Sequence, residues 1–331
     1  MKPVAVLFIA LLAASFASGQ EDVPLFQTTA ELALFDVQVV NRTTRTPAPP
    51  LQQKDLRIYE DGVLQEIRTF SRDELPLSVV LLFDLTDTSQ PVLGRLANSS
   101  IKMLAHLKPQ DEVAVMAYAA FTRLVGDFTT DREKTRKDIN KAAGMHEISR
   151  AFFNEAVYQA AMQLRKNNNS GRRVIVWLTD NLSSLPDLTA QAYYRRLAPS
   201  WTAHTEDEAI RALYESGITV APLLLVDPAA LERTMHRRAG ESLYFKFAPP
   251  GDARKYAAWT GGQALQYDGK DVDGRMAQIV DELRSRYTIG YRPTQQKPAD
   301  MFCKVRVALA PDAPLQPDEW LILAPAGYYR K

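Results

Sequence analysis

The chain has 331 residues, enough for one domain of about 200 residues with appended elements or for two domains. Its formal charge of +1, with acids and bases nearly balanced, leaves no electrostatic footprint for nucleic acid or an anionic membrane surface. Cys303 is the only cysteine, which excludes an intrachain disulfide; in the strand-like run Met301-Phe-Cys-Lys-Val-Arg-Val307 it reads as a small packed side chain.

The N-terminus has the order of a secretory signal peptide: Lys2, an apolar stretch over residues 4–14, then the small residues Ala17-Ser-Gly19. Residues 1–19 are assigned to that signal. No later stretch reaches the roughly 18 apolar residues of a membrane span, so the expectation is an exported chain, periplasmic or secreted, without a transmembrane segment in its mature form. Residues 28–70 alternate and turn like antiparallel β-structure, and Asp61-Gly62 between two apolar runs is a strong hairpin signal. Such a segment cannot bury both faces alone. The strand-like runs at residues 287–291, 303–309 and 320–323 are its expected partners.

Leu77-Ser-Val-Val-Leu-Leu-Phe83 is apolar at nearly every step, the pattern of a strand buried on both faces in a parallel sheet. Asp84-Leu-Thr86-Asp-Thr88-Ser89 follows at its carboxyl end, where open α/β sheets bind ligands. An aspartate followed at alternate positions by two hydroxyls offers hard oxygens, suited to magnesium, manganese or calcium instead of zinc or copper. The competing reading is an ordinary helix cap, a role open to Asp87 as well.

Pro91 and the apolar positions Leu93, Leu96, Ala97, Ser100, Leu104 and Leu107 predict a helix, and residues 113–118 a strand. Residues 153–164 read as an amphipathic helix. Arg173-Val-Ile-Val-Trp-Leu-Thr-Asp180 is a second buried strand ending in an acid. A long polar connection carrying Tyr193, Tyr194 and Trp201 leads to a helix at 206–216 stopped by Gly217, then a buried strand at 218–226. This alternation predicts a doubly wound, mostly parallel sheet with helices on both faces.

Several motifs fail on their spacing. His146-Glu147 starts a zinc-protease pattern, but Arg150 holds the second histidine position. Asp271-Val-Asp273-Gly274 suggests a calcium loop, yet Val280 stands where the bidentate glutamate belongs, so a cap for the helix at 276–286 is the better reading. Neither glycine-rich phosphate loop is present, and the histidines at 106, 146, 204 and 236 share no spacing.

Asp84-x-Thr86-x-Thr88 resembles the Asp-x-Ser-x-Ser segment of the metal-ion-dependent adhesion site in von Willebrand factor type A domains, and the strand ending at Asp180 resembles the one carrying that site's distal aspartate. Thr260-Gly-Gly-Gln-Ala followed by Ile279-Val-Asp-Glu-Leu-Arg-Ser-Arg-Tyr-Thr-Ile-Gly-Tyr291 is similar to the domain end in an acidobacterial branch of that family. The Tyr-Glu-Asp-Gly turn at residues 59–62 resembles that branch's lead-in. With the signal peptide at 1–19, the expected organisation is an N-terminal β segment at 20–75, the A-type domain that the resemblance implies at 76–286 and a C-terminal β extension at 287–331 packing with the N-terminal segment.

It further implies a metal site of Asp84, Thr86, Thr88 and Asp180, holding magnesium or manganese ahead of calcium, with a metal-free degenerate site as the open alternative. The chain departs from the family at the loop threonine: Arg150-Ala-Phe-Phe-Asn-Glu-Ala156 puts Ala151 there, with Ser149 two residues earlier. The implied function is non-enzymatic adhesion to a protein or other macromolecular ligand, an acidic side chain of which completes the ion's coordination. A structural envelope scaffold without metal-dependent binding is the alternative.

Overall fold

In the computed structural model the described residues are 32–72, 75–86, 89–119, 121–145, 151–167, 169, 171–181, 204–225, 253–267 and 271–330. The signal-peptide assignment, Asp87, Thr88, Ser149 and the connection carrying Tyr193, Tyr194 and Trp201 lie outside them.

At the centre is a six-stranded sheet of β5 (Leu77–Asp84), β6 (Glu112–Tyr118), β7 (Thr122–Thr129), β8 (Arg172–Thr179), β9 (Ile218–Leu225) and β10 (Leu265–Tyr267), in the spatial order β10-β9-β8-β5-β6-β7. All neighbours are parallel except β7, which runs antiparallel at one edge. The chain builds outward from β5 to one edge, then returns to β5's other side with β8. The β5/β8 boundary is therefore the topological switch point of a doubly wound sheet.

Every residue of β5 is buried, Ser78 included, as its nearly continuous apolar run predicts. Its alternate side chains serve opposite layers. Leu81 and Phe83 pack with α1 (Gln90–Met103), α2 (Arg132–Ala143) and α6 (Val272–Arg284) through Leu93, Leu96, Ile139 and Ile279. Val80 and Leu82 pack with α3 (Phe153–Lys166), α4 (Glu206–Ser216) and α5 (Ala253–Trp259) through Val157, Leu213 and Tyr256. Each such buried aliphatic or aromatic side chain contributes about 1.5–3 kcal/mol, so the switch point rests on two buried apolar layers, one on each face of the sheet.

The helix boundaries have local causes. Gly217 ends α4 in the left-handed region at φ 60°, and Thr205 with Glu208 forms a capping box at its start. Asp271 caps α6 by accepting from the Gly274 N–H at 2.9 Å, which makes the segment a helix start. Strand β7 and helix α2 are absent from the sequence reading. The first is a half-exposed edge strand, and the second buries only Thr135, Ile139 and Ala142. Asp131 was the available signal, since its carboxylate accepts from the Glu133 and Lys134 N–H groups.

The terminal segments form a β unit of two four-stranded sheets. One has the order β13-β1-β11-β4, from Trp320–Leu323, Ala33–Asn41, Tyr287–Tyr291 and Ile67–Ser71; the other is β14-β12-β2-β3, from Gly327–Tyr329, Phe302–Leu309, Leu56–Glu60 and Val63–Gln65. They share a core including Phe35, Val37, Leu56, Ile58, Ile289 and Val305. The β2–β3 turn places Asp61 at φ 46° and Gly62 at φ 86°, both in the left-handed region that a tight hairpin needs. Cys303 is fully buried in this unit, a packed side chain.

Arg172 at the start of β8 ties this unit to the central sheet. Its Nε donates to Asp36 at 3.2 Å, while its terminal nitrogens donate to the carbonyls of Leu283 and Arg286. Gly261, at φ 71°, lies so close to the backbone of Ala324 that an added Cβ would sit 2.5 Å from its carbonyl carbon. That close approach accounts for one glycine of the Thr260-Gly-Gly segment.

Candidate functional site at the carboxyl end of the sheet

Asp84 terminates β5 and Thr179 terminates β8, so the two residues face each other across the switch point. Asp84 is 1% exposed, and both its oxygens are occupied by protein donors. Oδ1 accepts from the N–H and Oγ1 of Thr86 at 3.0 and 2.7 Å. Oδ2 accepts from the Tyr118 hydroxyl at 2.9 Å and from Thr179 Oγ1 at 2.8 Å.

The donors are themselves oriented. Trp177 Nε1 donates to the Tyr118 oxygen at 2.9 Å, which directs the phenolic hydrogen towards Asp84. The Asn181 N–H donates to Thr179 Oγ1 at 3.0 Å, and Asn181, at φ 62°, accepts from the Ala253 N–H at 3.1 Å at the start of α5. This network links β5, β6, β8 and α5 around one carboxylate.

Burial pushes the Asp84 carboxyl up from the usual carboxylate range, opposed by the hydrogen bonds from Thr86, Thr179 and Tyr118. Burial and the neighbouring Asp84 charge push the Tyr118 phenol well above its ordinary value, so it stays protonated and remains a donor. Both neighbours were missed in the sequence reading. Tyr118 closes a strand that looks purely structural, and only the β5–β6 register, which pairs Asp84 with Tyr118, reveals its role.

Of the four residues expected to hold metal, three are described. Thr86 is buried and donates its hydroxyl hydrogen to Asp84, so its Oγ1 could meet a cation only as an acceptor oxygen. Asp180 follows Thr179 at the strand end and is partly exposed. Asp84 fits direct ligation poorly, because a cation on either oxygen displaces a hydrogen bond, but it fits as a buried negative charge behind the ligands. Thr88 lies outside the described residues. Ala151 is fully buried in the apolar cluster of Tyr118 and Trp177 and brings no side-chain oxygen.

Among the described residues, the group of three potential ligands that comes together lies elsewhere: Glu60, Asp61 and Cys303 in the β unit. Its acids already have partners. Tyr291 and Tyr328 donate to Glu60 Oε2 at 2.6 and 2.9 Å, and Lys297 pairs with Asp61. Burial, followed by the Glu60 charge, pushes the Cys303 thiol up, away from the thiolate a metal needs. Of the histidines, His204 is held at the entrance to α4, with Nδ1 2.8 Å from Glu155 Oε2 and its ring stacked on Tyr158.

No family model matches the chain, and no curated protein matches it. Solved structures do. The conserved hypothetical protein BatB from Bacteroides thetaiotaomicron is similar at 14% identity over 62% of this chain and 98% of that one, with a TM-score of 0.43. The vWF domain of the type V pili tip protein Mfa5 from Porphyromonas gingivalis aligns at 9% identity over 64% and 95%, TM-score 0.41. A von Willebrand factor type A protein from Catenulispora acidiphila aligns at 13% identity over 78% and 51%, TM-score 0.43.

Proposed function

We propose that this chain is an exported, non-enzymatic interaction module that binds a protein or other macromolecular ligand at the carboxyl end of its central sheet. The observation that carries the reading is the position of Asp84: an acid buried at the switch point, where doubly wound sheets bind ligands, with Thr86 fixed beside it. In this reading Thr86, Thr88 and Asp180 hold magnesium or manganese, and Asp84 supplies charge from behind. Magnesium needs few protein ligands and keeps several waters, so the missing oxygen at Ala151 does not preclude it. The bound cation would supply an electrophilic centre for an acidic side chain of the partner. The signal at residues 1–19 would deliver the module to the periplasm or beyond.

A second reading has its own support. The four hydrogen bonds that satisfy Asp84 without a cation, and the apolar Ala151, suit a metal-free sheet edge in a structural envelope scaffold. Titration calorimetry with magnesium and manganese on the full chain, beside capture from envelope extract with and without chelator, separates the two. The adhesion reading expects saturable cation binding that Asp180→Asn removes, and chelator-sensitive capture. No cation binding, with capture indifferent to chelator, would leave the scaffold.

A further inference from the structure

At the opposite end of the sheet, where the parallel strands begin, a cleft of about 230 Å³ opens between the central domain and the β unit. Leu34 and Phe35 of β1, Leu213 and Tyr214 of α4, and Ile218 of β9 contribute apolar walls. Arg172, Arg173 and Asp36 bring the charges. Arg172 is fully used by Asp36 and two carbonyls, and Asp36 also accepts from Thr288 Oγ1 at 3.1 Å, so this pair is internally neutralised.

Arg173 is different. Its Nη1 donates to the Ser216 carbonyl at 3.2 Å, but Nε is buried without a hydrogen-bond partner, and among the described residues no carboxylate pairs with it. A buried N–H left unpaired is costly, and a guanidinium edge matches a carboxylate in a two-point contact. Mostly apolar clefts with a few convergent polar groups, placed between structural units, are the usual form of a small-molecule site.

We propose that this cleft binds a small aliphatic monocarboxylate, its carboxylate on the guanidinium of Arg173 and its tail along Leu34, Phe35 and Ile218. The apolar walls disfavour inorganic phosphate, whose larger charge and hydration they cannot replace. The site is independent of the one at Asp84.

The test is titration calorimetry and thermal melting of the full chain with octanoate, in the presence of chelator so that the sheet's other end is silent. Saturable one-to-one binding and a raised Tm are expected, with octan-1-ol and inorganic phosphate at least about tenfold weaker. Arg173→Gln should weaken octanoate at least about tenfold, and Arg173→Lys less. Leu34 is 56% exposed, so Leu34→Glu should fold normally and still weaken octanoate through its charge. The proposal is overturned by no response to millimolar octanoate, by octan-1-ol binding as tightly as octanoate, or by unchanged octanoate affinity in Arg173→Gln. A leucine-terminated peptide binding more tightly than octanoate would overturn the assignment to a small molecule.

Discussion

Thr179 Oγ1 lies 2.8 Å from Asp84 Oδ2, a hydrogen bond between residues 95 positions apart that closes the β5/β8 boundary at the sheet's carboxyl end. Together with the Tyr118 hydroxyl it fixes one face of the carboxylate. Thr86 takes the other, so the acid is held from both sides before any ligand arrives.

Tyr118→Phe removes one donor to Asp84 and the acceptor of Trp177 Nε1. A buried N–H and a buried carboxylate oxygen each lose a partner, so a loss of about 1–3 kcal/mol in urea unfolding is expected. With Thr179→Val in a double-mutant cycle, coupling above about 0.5 kcal/mol should appear, because both hydroxyls serve the same oxygen. Strict additivity would mean that they do not share Asp84.

Asp84→Ala and Asp180→Asn should separate. The first leaves Thr86, Tyr118 and Thr179 donors without their acceptor and should cost about 3 kcal/mol or more with no cation present. The second keeps the shape of a partly exposed side chain, so the apo protein should hold its stability while losing its response to cation. In the wild type, a cation at a hundredfold excess over its Kd should add about 2.7 kcal/mol. Melting curves with and without magnesium or manganese decide this, and equal cation response in Asp180→Asn would remove Asp180 from the site.

Glu282 gives the pH dependence a sign. Burial pushes its carboxyl from 4.5 up to about 7, against the hydrogen bond from Gln278 and the charge of Arg286. A raised folded-state value means its contribution is fully present below pH 4.5 and lost as pH rises through about 7. Glu282→Gln can still accept from Gln278, so it should stabilise the protein at pH 8 relative to wild type by about 3 kcal/mol and show little advantage at pH 4.5. Chemical denaturation at both pH values is the check; a difference independent of pH would mean that Glu282 titrates normally.

Deleting residues 320–331 removes β13 from β1 and β14 from β12, together with the Tyr328 hydroxyl that donates to Glu60. Hydrogen exchange should therefore speed up around Val39 and Tyr59 as well as at the new C-terminus, because β12 is the neighbour of β2. Unchanged protection at Tyr59 would show that the two terminal segments do not stabilise one another.

Much of this molecule was legible from residue order alone. Nearly continuous apolar runs such as residues 77–83 mark buried strands, Gly217 and Asp271 mark helix ends, and Asp61-Gly62 marks a hairpin, because each depends on backbone geometry and neighbours a few positions away. The position of Asp84 directly after such a strand was enough to place it at the carboxyl end of the sheet. What surrounds Asp84 was not, since Tyr118 and Thr179 reach it only through strand register, and a strand's own periodicity is silent about which neighbour it pairs with. The same holds for Arg173, whose sequence neighbours do not distinguish it from Arg172. Packing in the folded chain gives the Arg172 guanidinium partners at Asp36, Leu283 and Arg286, more than a hundred positions away, and leaves Arg173 with a buried, unpaired N–H.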